Sequence, residues 1–581
     1  MSIAIHVTHE AIQKIGGIGS VIENLLTSPV YQKKFPRNLL YTPLFHADGD
    51  PEHKLGPNSQ LITSNTDHID HQGLRKKFEA IEHRYGISIV YGKKRYVSHE
   101  EKHRDIDTDI LAVGIQHMKP EAIDAFKFQL WEHFGIDSEL YRHDADYEQY
   151  LRIAIPLTDI MEAIYGEHTP AVLFSHEYMG MPSALALTIE KRQERRKGDR
   201  TYFYAHEIST ARSIVEHHPG HDFMFYNVMQ HDQREGISLE QQFGSYRHYS
   251  RNELVKRALY LDGFIAVSDI IKEEYQYLCP QAEASSIHVI PNGVPVVHCK
   301  VRDKDEACAL VGQYCENLFN FSPDYIFSHV TRLVLSKGLW RDISLLYLLD
   351  EQLAAQKKKA FFVLLSTSVG SGRPKNDALK MEADYGWPLL HREGWPDLVG
   401  QEVDLYRQLE LFNARSKVIK GVFLNQFGFN QSDCGMRMPS EMNLFHLRLA
   451  SDLEFGLSIY EPFGIAQIET LPYGGYPLIT DICGCASLLK KSYTENDAII
   501  VDSTRIPHSM KSTFQSVEDF KHMTTRHRDQ IEYEHHRSIA PRIIELLPQN
   551  DRARRKHFER MQDKASALKW DHAAVGLTKL L

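Results

Sequence analysis

Short apolar runs alternate with amphipathic stretches along this chain, the pattern of repeated βαβ units around a mainly parallel sheet. Ile3-Ala4-Ile5-His6-Val7 reads as a buried strand, and Ile18, Val21, Ile22, Leu25 and Leu26 then recur on one helical face. Further strands are expected at 171–174, 201–205, 264–267 and 288–290, all in a first α/β domain. The turn-rich Pro291-Asn292-Gly293-Val294-Pro295 interrupts the pattern and places a boundary near 296–304. A second series of strands is expected at 325–330, 360–365, 418–424, 476–480 and 498–501. Residues 375–445, broken by charges, glycines and prolines, read as an insertion in the second domain to which no chemistry is assigned.

Composition narrows the function classes. The 581 residues carry 67 Lys and Arg against 77 Asp and Glu, a formal charge of −10, which argues against nucleic-acid binding by bulk positive charge. Hydrophobic residues at 42% and charged residues at 25% are globular proportions. The seven cysteines, Cys279, Cys299, Cys308, Cys315, Cys434, Cys483 and Cys485, form no CxxC pair, so a paired-cysteine zinc site is not expected. No signal peptide and no membrane span are expected, and a reducing, cytoplasmic location fits. The run Lys191 to Lys197 reads as a solvated helix end. Pro219 and Gly220 break the helical spacing between His217 and His221, so these two, with His218 and His231, read as solvated loop histidines rather than metal ligands.

Four places carry candidate chemistry. Lys14-Ile15-Gly16-Gly17 lies between a strand and a helix, where bare backbone amides can approach a phosphate and the lysine adds a cation. His206, and similarly His176 with Glu177, follows a strand and therefore sits at a strand's carboxyl end, where ligands of open α/β sheets gather. Arg332 and Lys337 place two cations after the 325–330 strand, suited to a diphosphate leaving group. Glu461-Pro462-Phe463-Gly464-Ile465-Ala466-Gln467-Ile468-Glu469 sets two carboxylates eight residues apart, with a helix start permitted at Pro462 and Ile465, Ile468 and Leu471 on its inner face. If that stretch is largely helical, the carboxylates lie about 12 Å apart along the axis. That exceeds the roughly 5 to 9.5 Å of a hydrolytic acid pair and suits two grips on one extended ligand such as a sugar nucleotide.

Together these residues resemble retaining glycosyltransferases of the two-Rossmann-domain (GT-B) class, particularly the glycogen and starch synthases. Lys14-Ile15-Gly16-Gly17 looks like the family's Lys-x-Gly-Gly loop, and Ser175-His176-Glu177-Tyr178-Met179-Gly180 is similar to its His-Asp/Glu-Trp segment. His206 through Arg212 resembles its His-Ala-Thr-x-x-Gly-Arg segment, and Phe264-Ile265-Ala266-Val267-Ser268 with Pro291-Asn292-Gly293-Val294 the end of its first domain. Thr331-Arg332-Leu333 through Lys337-Gly338 is similar to Gly-Arg-Leu…Lys-Gly, Glu461 through Glu469 to Glu-x7-Glu, and Trp570-Asp571-His572-Ala573-Ala574 to the terminal helix. The chain departs from the pattern at Cys483-Gly484-Cys485, where bacterial synthases have Thr-Gly-Gly, at Ala211, and at Phe463 and Ile465.

The resemblance implies two Rossmann-like doubly wound domains facing a central cleft: 1–300 on the acceptor side, 301–550 binding the nucleotide sugar, and a helix at 551–581 crossing back. It implies His206, Arg332, Lys337 and Glu461 as catalytic residues. Lys14, Gly16, Gly17, Phe463, Gly464, Ile465 and Glu469 would bind the donor, with Glu461 at the sugar hydroxyls and Glu469 at the ribose. No metal or cofactor is implied beyond an ADP-, UDP- or GDP-sugar donor. The expected reaction is transfer of a glucosyl group to the non-reducing end of an α-glucan. The alternatives are a small-molecule or surface-glycan acceptor and, from other classes, a sugar-nucleotide epimerase or a non-catalytic glycan-binding protein.

Overall fold

The computed structural model describes residues 2–14, 16–46, 49–98, 104–370 and 372–580. The chain divides into two compact units, one of Met1–Ala211, Glu235–Pro295 and Trp570–Leu581, the other of Arg212–Arg234 and Val296–Lys569.

Unit 1 is built on a ten-stranded sheet among the described residues. In chain order its strands are β1 (Ile3–Val7), β2 (Asn38–Pro43), β3 (Ser59–Ser64), β4 (Ile69–Asp70), β5 (Ser88–Tyr96), β6 (Ile106–Gly114), β7 (Ala171–His176), β8 (Arg200–Ala205), β9 (Gly263–Ala266) and β10 (Ile287–Val289). Across the sheet they run β10-β9-β8-β7-β1-β2-β6-β5-β3-β4. From β10 to β6 all neighbours are parallel. β5, β3 and β4 add an antiparallel edge. β1, β2 and β7 are buried along their whole length because helices cover both faces, which is why their sequences read as apolar runs. The antiparallel edge departs from the expected pattern: in β5 the buried apolar run Ile89-Val90-Tyr91 is cut short by Gly92 and the basic Lys93, Lys94 and Arg95.

Unit 2 holds a six-stranded, wholly parallel sheet of β11 (Tyr325–Val330), β12 (Ala360–Leu365), β13 (Ile419–Leu424), β14 (Leu453–Gly456), β15 (Tyr476–Thr480) and β16 (Ile499–Val501). Its order, β13-β12-β11-β14-β15-β16, is the doubly wound Rossmann order. The parallel strands of unit 1 follow the same scheme, β6-β2-β1-β7-β8-β9. In each unit the winding reverses beside the first strand, between β1 and β7 and between β11 and β14. A crevice outside the strand ends opens at such a point, and ligands bind there. Large apolar side chains pack both faces of the second sheet: Phe327, Phe362, Leu364 and Phe455 on one, Phe361, Val363 and Val422 on the other.

Two expectations need correction. In the basic run after the helix Glu177–Arg192, Arg196 is buried rather than solvated. Its Nε donates to Asp199 Oδ2 at 2.7 Å, and its terminal nitrogens donate to the carbonyls of Glu167 and Thr169. A buried guanidinium persists only with such full pairing. In the histidine patch His217 and His231 are exposed as expected, but they lie on helices rather than in a loop: His217 ends the helix Ser209–His217, and His221 and His231 belong to the helix His221–Glu235. His221 is buried, and its Nδ1 lies 2.8 Å from the Val215 carbonyl. Among the described residues no cluster of three or more His, Cys, Asp or Glu side chains could hold a metal, and no helix is long and apolar enough to cross a membrane.

Candidate functional site

The reversal point of unit 2 collects most of the candidate residues. The loop after β11 carries Arg332, which is exposed, and turns through Leu335–Lys337 into Gly338. Gly338 has φ +61°, and a Cβ there would come 2.9 Å from the Leu457 carbonyl oxygen. Glycine is therefore what lets this loop lie against the segment after β14. The two are tied by backbone: the N–H groups of Ile459 and Tyr460 both donate to the Ser336 carbonyl, at 2.9 and 3.2 Å.

This contact brings Lys337 to Glu461. Lys337 Nζ donates to Glu461 Oε2 at 2.6 Å, and Gln467 Nε2 donates to the same oxygen at 2.9 Å. Glu461 is 8% exposed, so its charge depends on these two donors. The stretch from Glu461 to Glu469 is not one helix: only Ile465–Ile468 is helical, and Gly464 before it adopts φ +90°. The axial separation expected for a continuous helix does not apply. A Cβ on Gly464 would meet Cys483 Sγ at 2.7 Å and Gln467 Oε1 at 3.0 Å. The loop is pinned from beneath, where Gly484 N donates to the Glu461 carbonyl and Cys485 N to that of Phe463. Phe463 is buried, and Ile465 is half-buried at the start of the short helix.

Glu469 is held separately. Its Oε2 lies 2.6 Å from Arg448 Nη2, and Arg448 Nη1 lies 2.9 Å from Oε1 of the fully buried Glu454. Burial disfavours the charge on Arg448, but Glu454 and Glu469 outweigh it and raise its pKa. Glu454 in turn accepts from Val330 N at 3.0 Å and from Ser328 Oγ. Arg448 and Gln467 were not among the residues singled out from sequence. Gln467 lies inside the Glu-x7-Glu stretch, but Arg448 has no motif to announce it.

The reversal point of unit 1 holds the remaining candidates. Ile15 lies outside the described residues. Lys14 Nζ bonds Glu23 Oε2 at 2.9 Å on the surface. The amides of Gly16 and Gly19 both donate to Glu10 Oε2, at 2.9 and 2.8 Å, so a carboxylate of the chain itself fills part of the loop's anion-binding capacity. A Cβ on Gly19 would fall 2.7 Å from that oxygen and 2.9 Å from Lys14 Cγ, whereas one on Gly17 meets nothing within 4 Å. Gly19→Ala is therefore expected to cost about 1–3 kcal/mol by overpacking, and Gly17→Ala less than about 0.5 kcal/mol, as read by chemical denaturation.

His206 follows β8 and is half-buried. Its backbone N–H, with that of Glu207, donates to Glu177 Oε1. Glu177 is a non-glycine residue at φ +59°, and burial followed by the nearby Glu207 raises its pKa well above the usual carboxylate range. His206 Nε2 lies 2.9 Å from His176 Nδ1, and His176 Nε2 lies 2.9 Å from His6 Nδ1. Desolvation pushes the pKa of His6 and of His206 down to about 3, and that of His176 well below its usual value.

Histidines depressed in the folded state but ordinary when unfolded make folding weaker in acid. Between about pH 6.5 and pH 3 the unfolded chain takes up protons that the native chain does not, so stability rises with pH through that window. Replacing His6 and His176 together by glutamine should flatten the dependence by roughly two protons, measured as the slope of unfolding free energy against pH.

No protein-family profile matches the chain, and no curated protein matches it in sequence. Solved structures do match over its whole length. A trehalose-6-phosphate synthase from E. coli bound with UDP-2-fluoro glucose is 13% identical with a TM-score of 0.50, covering 100% of this chain and 99% of that one. Sucrose-phosphate synthase from Thermosynechococcus elongatus is 12% identical with a TM-score of 0.50, covering 100% and 98%. The catalytic domain of starch synthase IV from Arabidopsis thaliana, bound to ADP and acarbose, is 13% identical with a TM-score of 0.51, again covering 100% and 98%. The chain has the α/β GT-B fold of these retaining glycosyltransferases.

Proposed function

We propose that this protein is a retaining hexosyltransferase that moves a glucosyl group from a nucleoside-diphosphate sugar to the non-reducing end of an α-glucan. The observation that carries the reading is the cluster of Lys337, Glu461 and Gln467 at the reversal point of unit 2, beside the exposed Arg332. As the bond from the anomeric carbon to the diphosphate breaks, the sugar becomes oxocarbenium-like and negative charge collects on the leaving group. Lys337, already oriented by Glu461, and Arg332 stabilise that charge without reorganising at the moment of reaction. Glu461 Oε2 accepts from Lys337 and Gln467, which aligns the carboxylate to receive sugar hydroxyls. Glu469, aligned by Arg448, serves the ribose, and His206 hydrogen-bonds the transferred sugar.

The nucleotide ligands of the matching structures, UDP-2-fluoro glucose in one and ADP with acarbose in another, support a nucleotide-sugar donor. The trehalose-6-phosphate and sucrose-phosphate synthases favour a second reading, in which a small phosphorylated sugar is the acceptor. Release of nucleoside diphosphate from ADP-, UDP- and GDP-glucose, with glycogen, with a hexose phosphate or with no acceptor, tests both. Glycogen-dependent release with an α-linked product is expected. Release only with the hexose phosphate replaces the acceptor, and no release from any donor overturns the proposal.

A further inference from the structure

The three stacked histidines of unit 1 form a continuous chain that ends on a tyrosine. Tyr31 Oη lies 2.8 Å from His6 Nε2, and the gaps from His6 Nδ1 to His176 Nε2 and from His176 Nδ1 to His206 Nε2 are both 2.9 Å. Residues 170 and 30 positions apart meet here because β1, β7 and β8 are adjacent parallel strands. Aromatic rings hold the planes: Phe174 stacks on His6 at 5.1 Å, and Tyr204 stacks on His176 at 5.2 Å and on His206 at 4.7 Å.

A neutral imidazole has one N–H and one bare nitrogen, and each gap in the chain holds one hydrogen. The direction of any link therefore fixes all the others. We infer that Tyr31, His6 and His176 act as a one-directional hydrogen-bond relay that sets the tautomer of His206, leaving a hydrogen on its Nδ1 as an outward donor. Tyr31 sets the direction. Its hydroxyl is fully buried, and among the described residues its only hydrogen bond is with His6. If it accepted from His6, its own hydrogen would be buried without a partner, the costlier arrangement for a phenol, which is also a better hydrogen donor than an imidazole N–H. So Tyr31 O–H donates to His6 Nε2, His6 Nδ1–H to His176 Nε2, and His176 Nδ1–H to His206 Nε2.

His6 and His176 never touch a ligand in this scheme and are positioning residues. Burial keeps the rings neutral at pH 7, so each gap stays singly occupied. The consequence for chemistry rests on the sugar-binding reading of His206: its Nδ1 offers a hydrogen to a sugar oxygen and cannot take a proton from an acceptor hydroxyl. The recognised group is an oxygen with a free lone pair.

The test is a long-range proton–nitrogen correlation spectrum of the full chain labelled with 15N-histidine, peaks being assigned by their loss in His6→Gln, His176→Gln and His206→Gln. The relay requires that all three rings show a protonated, pyrrole-like Nδ1 and a bare, pyridine-like Nε2. A pyrrole-like Nε2 on His206 in the unmodified chain overturns the direction. In Tyr31→Phe, the opposite tautomer should become populated and both nitrogen shifts of His6 and His206 should move towards averaged values. Unchanged shifts in that variant overturn the role of Tyr31. The same variant is expected to lower kcat/KM about fivefold to tenfold, the effect of weakening one hydrogen bond. Should the unmodified chain turn over no sugar nucleotide, the spectrum still decides the relay, so the two proposals fail separately.

Discussion

Replacing Arg332 and Lys337 together by alanine is expected to lower sugar transfer by about three orders of magnitude while the chain stays folded. Removing one preorganised charge donor from a developing anion costs on the order of 10²–10³ in rate, and two donors at one leaving group overlap rather than multiply fully. Arg332 is exposed, so its loss leaves no buried group unpaired. Lys337 is different: without it, Glu461 Oε2 loses a cation and keeps the Gln467 amide at 2.9 Å as a donor. A triple variant that adds Glu461→Gln removes that stranded charge, so its melting temperature should return towards that of the unmodified chain while its activity stays lost. Nucleotide release under donor saturation, read beside thermal melting, separates the two effects. Near-normal rates in the double variant would remove Arg332 and Lys337 from the reaction.

Arg341→Met is expected to destabilise unit 2 by about 3–5 kcal/mol, the usual cost of stranding a buried partner of an ion pair. Arg341 is 3% exposed and sits between two acids. Its Nη2 and Nη1 donate to Asp222 at 2.7 and 3.0 Å, its Nε donates to Glu532 at 2.8 Å, and its Nη1 also reaches the Leu457 carbonyl at 3.2 Å. Burial disfavours its charge, but Asp222 and Glu532 more than compensate and raise its pKa. In the variant, Glu532 retains Arg528 at 3.7 Å, whereas the fully buried Asp222 loses its cation. The deficit, read as a shift of the urea midpoint by tryptophan fluorescence, should shrink as the pH falls, because burial raises the pKa of Asp222 and the stranded aspartate takes up its proton in the folded chain before it does in the unfolded one. Adding Asp222→Leu should recover most of the loss. An unchanged midpoint in Arg341→Met would mean that the pair contributes nothing.

The parts of the molecule legible in the sequence are those with a local signature. β1, β7, β11, β12 and β15 are short apolar runs because both faces of their sheets are covered. β14 is four residues long and carries the buried Glu454, and β2 begins with a buried asparagine, so neither reads as a strand from its letters. The site divides in the same way. Glu461, Lys337 and Gly464 stand out as candidates in the sequence because loops after strands keep their chemistry within a few residues. Arg448, Glu10 and His6 act across the fold, and only the pairing of strands reveals them: His6 occupies an interior strand position that an apolar residue would equally fill. The largely helical path from Glu461 to Glu469 that would set the two carboxylates about 12 Å apart is not adopted, since a glycine in the left-handed region resets the direction of the chain.

The division of the chain also bears on its synthesis. Each unit borrows a piece from the far side of residue 296: unit 2 takes Arg212–Arg234, and unit 1 takes Trp570–Leu581. A ribosome must therefore deliver the chain through Lys569 before unit 2 has all its segments, and the stretch from Trp570 on before unit 1 has its own. Cutting the gene at that junction would yield two fragments that each lack a part of themselves, with Arg341 on one and Asp222 on the other.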